Sequence, residues 1–191
     1  MRAKITATSR YLPERVLSNK DLEIMVETSD EWILSRTGIE KRHLVGEGEA
    51  TSDMCARIAE ILLEKSGKSS DEIDLILIAT STPDYLIVST AALVQDKISA
   101  KNAWGYDIVA ACTGFIYALE TGAKMIESGQ YKNVIVIGAD TMSSIIDYTD
   151  RNTCVIFGDG GGGVLLEPTE DDEGILDSIL HTDGSGSQYL T

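Results

Sequence analysis

No hydrophobic run in this sequence is long enough to cross a bilayer, which takes about 20 apolar residues. The opening stretch "MRAKITATSRYLPERVL" lacks an apolar core of the length a secretory signal needs, so a cytoplasmic location is expected. Basic residues are scarce: 16 Lys and Arg stand against 31 Asp and Glu, a formal net charge of -15. Phosphate backbones repel such a chain, which argues against general nucleic-acid binding and leaves any anionic ligand to a few placed arginines or lysines. Cysteine is sparse too. Cys55, Cys112 and Cys154 are far apart and form no CxxC pair, so neither a zinc ribbon nor a disulfide framework is indicated. The two histidines, His43 and His181, are isolated, and no metal site is expected. Internal repeats and low-complexity linkers are lacking as well.

What is present is an alternation of strands and helices. "AKITATSRYLP" alternates and stops at Pro13, as a first strand does. "SNKDLEIMV" opens on a capping Ser18 or Asn19, and "TSDEWILSRTGI" runs from a polar start to Gly38; both read as short helices. "TSDMCARIAEILLEKSG" repeats its apolar residues Met54, Ile58, Ile61 and Leu62 at helical spacing and ends at Gly67. "IDLILIAT" is a continuous apolar run too short for a typical helix, which suits a strand buried on both faces. A helix from Thr90, the strand "WGYDIV", a helix from about Thr113 to Ser128 and the buried strand "NVIVIGA" follow. "NTCVIFGDGGGGVLLEP" reads as two strands joined by a glycine turn, and "GILDSILHTDG" as a last strand. The order implies an α/β layered domain on a mostly parallel sheet.

Three sets of residues carry candidate chemistry. In "YDIVAACTGF", Cys112 stands where a buried strand turns into a helix, with only small residues beside it. Unpaired N–H groups and partial positive charge at a helix start stabilise a thiolate, and a stripe of Phe115, Leu119, Gly122 and Ile126 would anchor the helix behind it. A free cysteine is also among the most buried residue types, so position alone leaves both readings open. Cys55, within a helix, and Cys154, within an expected strand, read as core. "FGDGGGGV" formally contains G-x-G-x-x-G, yet it leads into a strand rather than opening a helix, which rejects a dinucleotide fingerprint. Its glycines allow a tight turn or a close backbone approach. Trp32 and Arg36 are four apart and share a helix face. With Arg151 they could stack on a nucleobase and pair with phosphates, or simply form a surface ion pair beside a half-buried tryptophan. His43 and His181 read as structural histidines.

Together "DEWILSRTGIEKRH", "STPDYLIVSTAALVQ", "YDIVAACTGFIYALETG", "DYTDRNTCVIFGDG" and "LHTDGSG" resemble β-ketoacyl-acyl carrier protein synthase III, the initiating condensing enzyme of type II fatty-acid synthesis. The resemblance runs along the whole chain with the motifs in order. It implies the thiolase-like fold, layered α-β-α-β-α in the full enzyme, of which this chain is mainly the first half. Residues 1–170 would form that N-terminal half and 171–191 would start the connection to a second half absent from this sequence.

The same resemblance implies an acyltransferase working as a homodimer. A cysteine takes an acyl group from acyl-CoA, usually acetyl-CoA. Malonyl-acyl carrier protein then loses carbon dioxide, and its carbanion attacks the thioester to give a 3-ketoacyl-acyl carrier protein. Cys112 falls at the nucleophile, with its backbone N–H as one oxyanion donor. Thr28, Trp32, Arg36 and Arg151 fall at coenzyme A positions. Ile87 lies in the segment that crosses the dimer interface toward the partner's acyl pocket, where an isoleucine leaves room for primers longer than acetyl. No permanently bound cofactor is implied; acyl-CoA is a substrate. Gly161 and Gly163 stand where alanines are common, which is expected to loosen the glycine turn. The family's catalytic histidine and asparagine come from the second half, and neither His43 nor His181 matches, so this chain alone is expected not to condense. Another thiolase-fold acyl-CoA condensing enzyme and a non-catalytic acyl-CoA or carrier-protein binding module are the alternative readings.

Overall fold

A computed structural model describes residues 1–189; Leu190 and Thr191, at the end of the expected connection, lie outside the described residues. Seven strands and five α-helices follow one another as β1 (Arg2–Tyr11), β2 (Arg15–Ser18), α1 (Asn19–Met25), α2 (Asp30–Thr37), β3 (Lys41–Leu44), α3 (Thr51–Ser66), β4 (Leu75–Ala79), α4 (Thr90–Lys97), β5 (Trp104–Ile108), α5 (Gly114–Glu127), β6 (Val134–Thr141) and β7 (Asp159–Thr169). Five strands form one sheet in the order β1-β7-β6-β4-β5. The β6-β4 and β4-β5 pairings are parallel, and β1-β7 and β7-β6 are antiparallel. The sheet is therefore mixed in equal parts rather than mostly parallel. β7 returns antiparallel beside β6 after the segment 142–158, which contains turns but no α-helix.

The apolar runs of β4 and β6 are buried on both faces, as continuous hydrophobicity requires. Ile76, Ile78, Ile135 and Ile137 point to one side, against Ile58 and Leu62 of α3 and Val94 of α4. Leu75, Leu77, Val134 and Val136 point to the other, against Ala118 and Ile126 of α5. Each fully buried side chain of this kind contributes about 1.5–3 kcal/mol. Local signals place the helix ends. Ser18 caps α1 in a reciprocal capping box with Asp21. Ser29 caps α2, and Gly38 ends it in the left-handed conformation at φ 71°.

Two expected elements differ. The stretch 152–168 is not a pair of strands around a glycine turn. Residues 151–156 form turns, which place Cys154 in a buried loop, and β7 then runs straight through all four glycines. Nor are those glycines loose. A Cβ at Gly161 would lie 2.6 Å from Ala139 Cβ and 2.8 Å from Ile58 Cδ1; one at Gly163 would lie 2.8 Å from both Ile137 Cγ1 and Ile58 Cγ2. Their missing side chains let α3 settle directly on the sheet. "GILDSILHTDG" forms no strand. It bonds to β1 once, through Ile175 N–H to the Ala3 carbonyl at 2.8 Å, and leads to a 3-10 turn at Gly184–Tyr189.

The antiparallel β2-β3 pair, whose strands are separated by α1 and α2, was not anticipated. With α1, α2 and the turns after β6 it builds a smaller lobe around Leu17, Leu22, Ile33, Leu44, Cys154 and Val155. Among the described residues no helix is long and apolar enough to cross a membrane, and no cluster of His, Cys, Asp and Glu could hold a metal ion.

Candidate functional site

β5 ends at Ile108, and the chain makes one 3-10 turn, Ala111–Thr113, before α5 begins at Gly114. The turn is sharp. Ala111 sits at φ 46°, the left-handed region that an alanine rarely enters and that costs about 1–2 kcal/mol. Thr113 fastens it, with its Oγ1 donating to the Ala110 carbonyl at 2.8 Å. Gly114 presses against β4, where a Cβ would come 3.2 Å from that of Ala79. Behind it α5 lies close on the sheet through Gly122, whose Cβ would stand 3.0 Å from Leu166 Cδ1. A strained turn is thus clamped between a strand and a well-anchored helix. Cys112, at its centre, is exposed, whereas Cys55 and Cys154 are buried.

Cys112 opens onto a cavity of about 460 Å³ walled by Ala79, Ala111, Phe115, Gly138, Ala139 and Asp140, with the glycine segment of β7 at its far side. The start of α5 carries no side-chain cap, so its first N–H groups and positive dipole end face this turn. The other thiols are silenced by their surroundings: burial pushes the pKa of both Cys55 and Cys154 up, which favours the unreactive protonated form. Neither His43 nor His181 lines the cavity. His43 Nδ1 sits 2.6 Å from the Pro13 carbonyl, a structural contact, and the His181 carbonyl accepts from Tyr117 Oη at 2.8 Å.

Sequence reasoning missed two carboxylates. Asp140, where β6 leaves the core, accepts from Thr80 Oγ1 at 3.1 Å, Ser81 N–H at 2.7 Å and Thr82 Oγ1 at 3.1 Å. It ties the end of β6 to the segment after β4 at the cavity wall. Asp107 of β5 accepts from the N–H groups of Thr90 and Ala91 at 2.6 and 2.8 Å and so caps α4 from a neighbouring strand. The signal was present: each acid stands in or at the end of an otherwise apolar strand. Its partners, however, are distant in sequence.

In the smaller lobe, Trp32 of α2 has two cations against its ring. The Arg36 guanidinium carbon stands 5.7 Å from the ring centroid and that of Arg151 4.7 Å. Helical spacing brings Arg36 there, and the turn segment between β6 and β7 brings Arg151. Just before α2, the Thr28 Oγ1 is buried without a hydrogen-bond partner among the described residues. Ile87 joins neither group. It is 96% exposed beside the 99% exposed Leu86, on the loop that Asp107 helps to hold. The structure thus brings Trp32, Arg36 and Arg151 together and leaves Cys112 and Ile87 at places of their own.

A layered α/β half with a solvent-open cysteine at a strand-to-helix turn defines the class as thiolase-like, and solved structures agree. The 3-oxoacyl-[acyl-carrier-protein] synthase III from Aquifex aeolicus is 48% identical with a TM-score of 0.86, over 88% of this chain and 55% of that one. The synthase III from Thermus thermophilus is 41% identical with a TM-score of 0.92, over 97% of this chain and 57% of that one. The family model for 3-oxoacyl-[acyl-carrier-protein (ACP)] synthase III matches residues 106–184. The β-ketoacyl-[acyl-carrier-protein] synthase III of Koribacter versatilis is 57% identical over 191 residues, 99% of this chain and 57% of that protein. Over the span that it covers, the chain is similar to members of the β-ketoacyl-acyl carrier protein synthase III family. It spans less than three fifths of the length of these relatives, 57% in one case and 59% in another.

Proposed function

We propose that this chain carries the acyl-accepting cysteine and the coenzyme A face of an initiating condensing enzyme, a β-ketoacyl-acyl carrier protein synthase III of type II fatty-acid synthesis. The observation that carries the reading is the exposed Cys112 on its strained, helix-backed turn over an open cavity. The Cys112 thiolate attacks the thioester carbonyl of acyl-CoA. A tetrahedral oxyanion forms, with the Cys112 backbone N–H as one donor, and collapses to an acyl-cysteine as the CoA thiolate leaves. The adenine end of CoA enters between Trp32 and Arg151, Arg36 meets its phosphates, and the unpartnered Thr28 hydroxyl supplies a further hydrogen bond. Malonyl-acyl carrier protein is the second substrate; its decarboxylation and attack on the acyl-cysteine release carbon dioxide and give the 3-ketoacyl product.

The groups that stabilise the decarboxylated enolate lie outside these 191 residues, in a second half that follows the connection at 171–191; residues 1–170 are the first half. Alone, the chain accepts an acyl group but does not condense. Pairing with a second copy carries the exposed Ile87 toward the partner's acyl pocket, where primers longer than acetyl fit. The enzyme works in the cytoplasm, away from membrane and nucleic acid, with no permanently bound cofactor.

Intact mass after incubation with acetyl-CoA and longer acyl-CoAs tests this. One acyl group is expected on the chain and none on Cys112→Ser. An adduct that persists in Cys112→Ser would overturn the assignment of the nucleophile. Malonyl decarboxylation by the purified chain would refute the need for a second half. A chain that binds acyl-CoA without ever forming an adduct would favour the non-catalytic binding module.

A further inference from the structure

Asn19 and Arg42 are the buried polar pair of the smaller lobe, 1% and 3% exposed. Burial lowers the pKa of the Arg42 guanidinium, because a charged group is costly to remove from water. The group donates to two neutral acceptors, Nη1 to Asn19 Oδ1 and Nη2 to the Val155 carbonyl, while its Nε has no partner among the described residues. An apolar side chain of similar volume often stabilises such a place better than a buried cation does. What the cation and the amide accomplish together is a connection. Asn19 Nδ2 donates to Asp30 Oδ1 at 2.7 Å and to the Ile39 carbonyl at 2.9 Å. Asp30 is the first residue of α2, the helix that holds Trp32 and Arg36, and Ile39 follows the end of that helix. Val155 closes the turn segment that carries Arg151. The relay Asp30–Asn19–Arg42–Val155 therefore joins both walls of the Trp32 clamp through two buried side chains. Gly158 completes the seat: a Cβ there would stand 3.0 Å from Arg42 Cβ, so the segment lies flush on the arginine.

We propose that Asn19 and Arg42 are positioning residues that set Arg151 against Trp32. The proposal rests on the coenzyme A reading for its use, though the geometry can be tested without it. A network that only stabilised the lobe would alter unfolding while leaving the folded state's tryptophan signal alone. The relay alters that signal.

The chain has two tryptophans, so Trp104→Phe leaves Trp32 as the sole emitter. In that background Asn19→Ala and Arg42→Lys are compared with their parent by circular dichroism, Trp32 emission, acrylamide quenching and titration with CoA. Arg42→Lys keeps the charge but loses the two-pronged donor, and it carries the test where Asn19→Ala fails to fold. Both folded variants are expected to shift Trp32 emission and raise quenching about twofold, and to weaken CoA binding about tenfold, the equivalent of one or two hydrogen bonds. Added to Arg151→Ala, Asn19→Ala should weaken binding less than twofold further, since the wall it sets is already gone. Folded variants with the parent's emission and quenching would overturn the proposal; if Arg151→Ala still weakened CoA binding, the coenzyme A reading would survive. A parent that ignores CoA while both variants shift Trp32 emission would sustain the relay and sink that reading.

Discussion

The Cys112 turn and the Trp32 clamp are built in opposite ways. The turn is made of neighbours: a strand end, three small residues, a cysteine and the first turn of the helix lie within "YDIVAACTGF". Long-range contacts hold it, but its shape follows from local residues. The clamp is made of strangers. Arg151 reaches Trp32 from the far side of the chain, and only the buried Asn19–Arg42 relay and the packing of the smaller lobe bring them to 4.7 Å. Chemistry that needs one atom at a defined angle can be encoded locally. A ligand-sized grip needs several segments and so depends on the fold.

The contrast can be tested, beginning where the effect is largest. Alkylation by iodoacetamide should be confined to Cys112, with Cys55 slower by about three orders of magnitude, because burial both hides its thiol and keeps it protonated. Peptide mass mapping after brief labelling checks this, and equal labelling of Cys55 would mean that the helix-sheet packing opens readily. Next, Gly105→Ala should destabilise the chain by about 1–3 kcal/mol, because its Cβ would lie 2.4 Å from the Ile76 carbonyl oxygen of the neighbouring strand. Denaturant unfolding measures that loss. If the two regions are independent, Trp32 emission in the folded variant, read in the Trp104→Phe background, stays unchanged.

A smaller effect is expected at the clamp. Arg151→Ala should weaken CoA binding by about 1–2 kcal/mol, the worth of a partly desolvated cation–π pair, and Arg151→Lys by less. Calorimetric titration distinguishes them. The smallest effect concerns pH. Asp147 and Asp150, in the segment that carries Arg151, are held below the ordinary aspartate range, first by backbone N–H donors, from Thr149 and Asn152, and then by side-chain hydroxyls, from Thr149 and Thr153. A depressed folded value means that their stabilisation is whole above the ordinary aspartate range and drains as pH falls through the lower folded values. Trp32 emission in the Trp104→Phe background should therefore stay flat from neutral pH down to that range and shift only below it, while Cys112 accessibility does not follow.

Legibility in the sequence divides along the same line. Helices α3 and α5 and strands β4 and β6 were plain because their apolar spacing reports burial directly. The β2-β3 pair was not, since two four-residue strands separated by two helices carry no periodicity to read. The glycines of β7 looked like a turn. Their use as a flat seat for Ile58 is a property of α3, a hundred residues earlier in the chain by rough count. Asp107 and Asp140 were passed over because an acid at a strand end gains its meaning from backbone N–H and hydroxyl donors that sequence does not place.

By itself the sequence determined the alternating α/β order, the two-faced burial of the central strands and a cysteine at a strand-to-helix turn, because each follows from periodicity, capping and chain direction over a few residues. Only the tertiary structure decided that half of the sheet pairings are antiparallel, that Cys112 alone among the thiols meets solvent, and that Arg36 and Arg151 flank Trp32. These depend on packing between segments far apart in the chain, where the stabilisation comes from surfaces that no single stretch possesses.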